Sequence, residues 1–241
     1  MTQTQPTPPV DKSKIIRDAA TVILVRDAAS DNPRVLMGQR GAKAVFMPNL
    51  FVFPGGALDA GDWQVPLAEA GAEPCKSRLD VDAQPGIGPA LLAAAVRELW
   101  EETGQILGEV ADWPGRVPDD WCGFADKGYI PSADGLAFVF RAITPKGAPR
   151  RFDARFFAAD AERLKTDPDD FSGACDELSN LQWIPFSRVR EFDLPFITQV
   201  VLAEIQARLP DLSAPETSVP FFDNGAEETL FRRLGGKGPL E

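Results

Sequence analysis

Three glutamates stand close together near the middle of the chain, in the segment RELWEETG at residues 97–104. At about 100° per residue, Glu98, Glu101 and Glu102 would fall within roughly one third of the circumference of a helix. Carboxylate oxygens are ligands that hard divalent cations such as Mg²⁺ and Mn²⁺ prefer, and a bound cation would offset the mutual repulsion of the three charges. The alternative is an exposed helix face whose charges are screened by water, which is the commoner meaning of such a run.

This segment ends the strongest helical pattern in the sequence, residues 89–104. Pro89 suits the first turn of a helix and Gly104 suits its C-terminal cap. One stripe of the helix can face a core, and it consists of Leu92, Val96, Leu99 and Thr103. The glutamates would project away from that stripe. Arg97 precedes Glu101 by one turn and can pair with it.

A second element lies upstream, in the segment FVFPGGALDAGDW at residues 51–63. A short β-type run breaks there at Pro54, Gly55 and Gly56 into a loop. Glycines allow the backbone to approach a ligand or a metal closely. A Gly-Gly turn by itself is most often only a turn, and Asp59 and Asp62 by themselves are most often turn or capping residues. Together with the helix, however, these residues form a recognisable pattern.

The two segments resemble the Nudix box, Gly-x5-Glu-x7-Arg-Glu-aliphatic-x-Glu-Glu-x-Gly-aliphatic. Gly56 fits its first position, and the second half is matched without a gap by Arg97, Glu98, Leu99, Glu101, Glu102 and Gly104. Asp62 stands where the family has glutamate, and Gln105 stands where it has an aliphatic residue. The 34 residues 63–96 also separate Asp62 from Arg97, where the family has seven.

The resemblance implies a Nudix hydrolase, with an α/β/α sandwich around a central mixed β-sheet. Such an enzyme uses Mg²⁺ or Mn²⁺ to cleave a nucleoside diphosphate linked to another group. By resemblance, the metal ligands are Glu98, Glu101 and Glu102, with the backbone carbonyl of Gly55 as a further ligand. Arg97 would orient a box glutamate, and Gly56 would let substrate approach.

A general base and phosphate-binding cations are expected outside the box. Glu177, in the segment CDELSNLQW, is the candidate base; Asp176 is a lesser alternative, and a solvated loop acid is an equally good interpretation. Arg151 and Arg155 alternate with apolar residues in the strand-like segment PRRFDARFF, so they share a face and could meet substrate phosphates. The alternative is that they are ordinary strand charges.

The long interruption of the box is similar to one branch of the family, the coenzyme A and acyl-CoA diphosphatases. That branch implies adenosine 3′,5′-bisphosphate and an (acyl-)4′-phosphopantetheine as products. Other substrates remain open, namely ADP-ribose, a dinucleotide cofactor, a nucleotide sugar or a dinucleoside polyphosphate. Two alternatives are not enzymes: a Nudix-fold nucleotide-binding regulator that has lost catalysis, and an acidic α/β protein whose helix face is solvated.

Composition narrows these classes. The net charge of −11 argues against nucleic acid as a partner. Histidine is absent, which excludes Ser-His-Asp and Cys-His catalysis and every His-ligated metal site. The chain has three scattered cysteines and no apolar N-terminal stretch typical of a secretory signal, so we expect a cytoplasmic protein. It has no apolar run of about 18 residues, so we expect that it does not span a membrane.

The order of predicted elements is strands, helix, strands, helix, which favours one mixed sheet with helices on both faces. We expect a disordered tail at residues 1–13 and a single domain at 14–241. Within that domain we expect an insertion at about 63–88 and a C-terminal extension from about residue 210. A homodimer is compatible with this fold.

Overall fold

The computed structural model of the protein describes residues 15–71, 73, 75–212, 218–226 and 229–235. Within these ranges, nine strands form one mixed sheet and two more form a small antiparallel pair. In chain order the strands are β1 (Ile16–Arg26), β2 (Arg34–Arg40), β3 (Phe51–Val52), β4 (Gly55–Ala57), β5 (Gly108–Val110), β6 (Tyr129–Pro131), β7 (Ala137–Ile143), β8 (Arg151–Asp160), β9 (Leu178–Pro185), β10 (Val219–Asp223) and β11 (Leu230–Leu234). The expected tail, residues 1–13, lies outside the described residues.

The sheet is built around β1 and β8, which run parallel to each other over ten paired residues. Its strand order is β11-β10-β7-β8-β1-β2-β3, while β4 pairs with β1 and β9 pairs with β2. Strand β10 joins β7 in parallel and β11 joins β10 in antiparallel orientation. Part of the expected C-terminal extension is therefore the edge of the main sheet.

Helices cover both faces of this sheet because the side chains of β1 alternate between the two sides. Its Ala20, Val22 and Leu24 share one core with the long helix α2 (Ile87–Thr103). The intervening Ile23 and Val25 share a second core with α4 (Phe196–Arg208). Two further α-helices in the described ranges are short, α1 (Cys75–Leu79) and α3 (Cys122–Ala125). The three-layer α/β/α architecture predicted from sequence is confirmed.

The segment predicted as an insertion packs against α2 instead of standing apart from the domain. It contains the last two residues of a 3₁₀ helix (Asp62–Gln64) and helix α1. Val65, Leu67 and Leu79 contact the core that α2 shares with the sheet. Backbone hydrogen bonds from Ala68 to Pro131 and from Ala133 to Glu69 tie the segment to the end of β6. The long interruption therefore leaves the upstream loop close to the helix.

The limits of the single domain and the homodimer stay predictions. No helix in the described part of the chain is long and apolar enough to cross a membrane.

Candidate active site

The three glutamates lie on the last two turns of α2. The helix ends at Thr103, and Gly104 caps it in a left-handed conformation (φ 75°), which glycine adopts without strain. The Gly104 N–H bonds the carbonyl of Trp100 at 2.8 Å. Glu98 and Glu102 are only 9% and 2% exposed, and Glu101 is half-buried. This burial does not fit the alternative of a helix face that is screened by water.

Arg97 joins the helix to the upstream segment through three of its five N–H···O bonds, and the other two hold glutamates of its own helix. Its Nε and Nη2 donate to the two carboxylate oxygens of Asp62, at 2.9 and 3.1 Å. Its Nη1 donates to Glu98 at 2.9 Å and to Glu101 at 3.0 Å. A last bond runs from Nη2 to the carbonyl of Ala57 at 3.0 Å. The predicted pairing of Arg97 with Glu101 is present, and the guanidinium fixes two box glutamates at once.

Asp62 is a site residue whose part the sequence did not reveal. It is 2% exposed, and besides both bonds from Arg97 it accepts the Asp59 N–H at 2.9 Å. The departure from glutamate at this position therefore keeps a carboxylate partner for the arginine. Its signal in the sequence was the box spacing itself, six residues after Gly56.

The glycine loop lies directly against the glutamates. Strand β4 pairs Gly55 and Gly56 with Thr21 and Ala20 of β1. The Gly55 N–H donates to Glu102 Oε2 at 2.7 Å. A Cβ on Gly56 would lie 2.3 Å from Glu98 Oε1, so the space beside this glycine is filled by that carboxylate. The structure thus brings together the two segments that the sequence placed 34 residues apart. The Gly55 carbonyl as a metal ligand stays a prediction.

Burial raises the pKa values of these carboxylates, and the nearby cations do not fully offset it. Desolvation, and to a lesser degree repulsion from Glu101, raises the pKa of Glu98 to about 7 although Arg97 opposes it. Desolvation and repulsion from Glu98 raise the pKa of Glu102 well above its usual range. Its Oε1 atom is buried, and no hydrogen-bond partner for it exists in the described part of the chain. An unpartnered buried carboxylate oxygen is costly.

These residues fit a divalent cation. Their donor atoms are all oxygens, as Mg²⁺ and Mn²⁺ require. The Glu102 oxygen without a partner and the raised pKa values indicate that these carboxylates lack a positively charged partner, which a cation would supply. Across the described ranges, no three side chains already stand in a metal-ligating arrangement. Arg97 donates to one oxygen of Glu98 and to one oxygen of Glu101.

Strand pairing also brings Glu177 to the box. Arg40, the last residue of β2, lies opposite Leu178 at the start of β9, and its Nη2 donates to Glu177 Oε1 at 2.9 Å. The Glu177 carboxylate raises the pKa of Glu102, and the Arg40 guanidinium lowers it. Arg40 is a second site residue that the sequence analysis did not identify. The feature that could have indicated it is a basic residue at the end of a buried strand. Asp176 is exposed.

The two arginines of β8 share one face, as predicted, and are buried. Arg155 lies opposite Ala20 of β1, which in turn lies opposite Gly56. Its Nη1 donates to Asp18 and to the backbone carbonyl of Asp153. Arg151 donates to the carbonyls of Thr144 and Asn224 at 3.0 and 2.8 Å. Contact of either arginine with substrate stays a prediction.

Comparison with known proteins agrees with the box and the fold. The chain is 31% identical over 180 residues to the Caenorhabditis elegans protein named "Putative nudix hydrolase 7", a match that covers 70% of this chain. The chain spans about half the length of that curated relative, 51%. A crystal structure of a Nudix hydrolase from Alicyclobacillus acidocaldarius superposes with a TM-score of 0.58 at 26% identity, covering 80% of this chain and 92% of the other. No protein-family model matches the chain. With this identity over more than two thirds of its length, the chain belongs to the Nudix hydrolase family.

Proposed function

We propose that the protein is a metal-dependent pyrophosphohydrolase that cleaves a nucleoside diphosphate linked to another group. The observation that carries this proposal is that the buried box glutamates Glu98 and Glu102 lie against the Gly55–Gly56 loop, while Arg97 holds Glu98 and Glu101. A structural role alone would not call for a buried carboxylate oxygen without a partner. The comparisons support the family, and the substrate is part of the proposal.

In this proposal, Glu98, Glu101 and Glu102 hold Mg²⁺ or Mn²⁺. When bound there, such a cation would supply positive charge that offsets the negative charge developing as water attacks phosphorus. Arg97 keeps Glu98 and Glu101 in position through its Nη1 bonds, and its remaining donors are engaged by Asp62 and the Ala57 carbonyl. Glu177 accepts the proton of the attacking water. A phosphorus–oxygen bond to that water forms while the bond to the bridging oxygen breaks, and the leaving phosphate carries away the electron pair.

Coenzyme A or an acyl-CoA is the substrate class that we favour. The interrupted box supports it, since 34 residues stand where the family pattern has seven. Part of this interruption is folded against α2, and it follows directly after Asp62, a partner of Arg97. The products would be adenosine 3′,5′-bisphosphate and (acyl-)4′-phosphopantetheine. ADP-ribose, dinucleotide cofactors, nucleotide sugars and dinucleoside polyphosphates are the competing substrates for the same chemistry.

A substrate panel tests both levels of the proposal. The protein is incubated with Mg²⁺ or Mn²⁺ and with CoA, two acyl-CoAs, ADP-ribose, NADH and a diadenosine polyphosphate, and products are identified by mass. We expect CoA species to be cleaved, and Glu101→Gln to abolish the cleavage. Cleavage of another compound alone would keep the hydrolase and exclude CoA. Tight binding without cleavage would instead favour the nucleotide-binding regulator.

Gly56→Ala is expected to lower kcat about 10²-fold with little loss of thermal stability. The added methyl would lie 2.3 Å from Glu98 Oε1 and must displace that carboxylate from its bond to Arg97. Misplacing a catalytic group by about 1 Å costs about this much. The moving atoms belong to the end of a flexible side chain, so the backbone can stay in place.

Gly61→Ala is the matched control for this change. Gly61 lies in the same loop, has helical backbone angles (φ −67°, ψ −33°), and a Cβ there would meet no atom within 4 Å. The control should retain activity and melting temperature. Full activity in Gly56→Ala would show that the position of Glu98 does not matter for turnover.

A further inference from the structure

Arg40, the arginine that is paired with Glu177, has N–H donors that its contacts do not use. The N–H groups of Arg97 already donate hydrogen bonds to Asp62, Glu98, Glu101 and the Ala57 carbonyl. Arg40 donates through Nη2 to Glu177, while its Nε is buried and has no hydrogen-bond partner among the residues that the structure describes. Its side chain is 20% exposed. A buried N–H group without an acceptor is costly unless something else binds it.

The backbone around Arg40 is fixed on both sides. Its N–H bonds the Leu50 carbonyl at 3.0 Å, and its own carbonyl accepts the Asn49 N–H at 3.0 Å. Asn49 holds a left-handed conformation (φ 62°) to make this turn. Pairing with Leu178, the first residue of β9, sets the preceding Glu177 beside it. The two Cα positions are therefore held by the sheet, and only the side chains need to move when a partner is exchanged.

The ion pair between Arg40 and Glu177 is of a kind that can be exchanged. The Glu177 side chain is 53% exposed, so water solvates the carboxylate when the pair opens. Ion pairs of this sort contribute little to stability. A guanidinium binds phosphate oxygens through two parallel N–H bonds, which is a stronger and more directional contact than the single bond seen here.

A cation close to Glu177 would attract an anionic substrate in addition to the metal ion that the box glutamates would hold. The Arg40 guanidinium and the Glu177 carboxylate both lie close enough to act on Glu102, in opposite directions. A diphosphate entering this site meets the charges of Glu98, Glu101, Glu102 and Glu177. Arg40 lies beside Glu177, and its buried Nε–H is a further donor that no described residue engages.

We propose that Arg40 binds a phosphate of the substrate, and that its ion pair with Glu177 is the resting arrangement, which opens when the diphosphate enters. This inference rests on the proposed function, because it assigns a residue to the same site. Opening the pair also releases the Glu177 oxygen that Arg40 holds, so that it can accept a proton from water. Arg40 would then couple the binding of substrate to the availability of the base.

A double-mutant cycle on binding tests the exchange without relying on turnover. The probe is α,β-methylene-ADP with Mg²⁺, whose methylene bridge resists hydrolysis, and the dissociation constant is measured by calorimetry. Arg40→Gln should raise it about 10- to 100-fold, and Arg40→Lys should raise it less because it keeps the charge. Glu177→Gln should lower it about two- to fivefold, because the competitor for Arg40 is gone. In the Arg40→Gln background, Glu177→Gln should give no such gain.

Arg26→Gln is the matched control, since Arg26 also pairs with an exposed carboxylate, that of Asp169 at 2.7 Å. Arg26 lies five residues beyond Thr21, the last residue of β1 that pairs with the glycine strand β4. The control variant should bind the probe as the unmodified protein does. An unchanged dissociation constant in Arg40→Gln, a Glu177→Gln gain that persists without Arg40, or no binding by the unmodified protein would each overturn the inference. Hydrolysis by the unmodified protein is scored separately, so that failure of the proposed function is seen independently of the cycle.

Discussion

Glu102→Gln is expected to lower kcat about 10³-fold and, at the same time, to make the metal-free protein more stable at pH 8. Loss of one metal ligand removes several kcal/mol of transition-state stabilisation, which sets the scale of the first effect. The second effect follows from burial. Glu102 is 2% exposed and its Oε1 has no hydrogen-bond partner in the described part of the chain. Its other oxygen accepts the Gly55 N–H, a bond that the glutamine oxygen can keep.

The direction of the stability change depends on pH. Burial, followed by repulsion from Glu98, raises the pKa of Glu102 in the folded protein well above the ordinary value of 4.5. A carboxyl group with a raised pKa stabilises the fold while it is protonated, and this contribution is lost as the pH rises above the unfolded value and through the folded one. Glutamine does not titrate. The variant should therefore gain on the unmodified protein progressively as the pH rises above about 4.5.

Melting temperatures between pH 5 and pH 8, with EDTA and with Mn²⁺, measure this effect. With EDTA the variant should melt higher at pH 8, and with Mn²⁺ the order should reverse, because only the unmodified protein has the complete ligand set. Glu191→Gln is the control, since Glu191 is exposed and pairs with Arg188 away from the box. A Glu102→Gln variant that is less stable with EDTA at pH 8 would mean that the carboxylate has a structural partner.

The parts of the fold that sequence predicted best are those where one local signal decides the structure. Helix α2 was expected at 89–104 and spans Ile87–Thr103, because its apolar residues recur at helical spacing and Gly104 ends it. The second helix in the predicted order of elements is α4, which has Pro195 as its N-cap. The box glutamates were found through a resemblance with strong positional rules, and the glycine loop was recognised with them.

Other features of the site depend on contacts between distant parts of the chain, which local patterns do not contain. Arg40 and Glu177 are 137 positions apart and meet only because β2 pairs with β9. The helix face that carries the glutamates was expected to point away from the core. The glycine loop covers it, so that Glu98 and Glu102 are buried on a side that periodicity marks as polar. Pairing of strands across the sequence is a property of the whole fold.

Asp62→Ala is expected to be the most destabilising single change in the site, lowering the free energy of unfolding by about 3–5 kcal/mol. Asp62 takes two of the hydrogen bonds of a buried arginine, at 2.9 and 3.1 Å. Removing it leaves part of the Arg97 charge buried without its partner. It also releases the start of the long interruption from α2, since the Asp59 N–H loses its acceptor as well. The melting temperature should fall by about 6–20 °C.

Asp59→Ala is the control that distinguishes loss of the buried Asp62 contact from loss of any carboxylate near Arg97. Asp59 lies in the same loop, 3.8 Å from Arg97 Nη2, but its side chain is 53% exposed. Its loss should cost less than about 1 kcal/mol, because exposed ion pairs contribute little. Asp62→Asn should fall between the two, since it keeps an acceptor oxygen and loses the charge. If both alanine variants unfold at the same denaturant concentration, the contact between Asp62 and Arg97 does not hold the loop to the helix. If Asp62→Ala alone is unstable, the buried Asp62 carboxylate joins the two halves of the interrupted box. The loop and the helix then keep their positions in the site although a long segment separates them in the sequence.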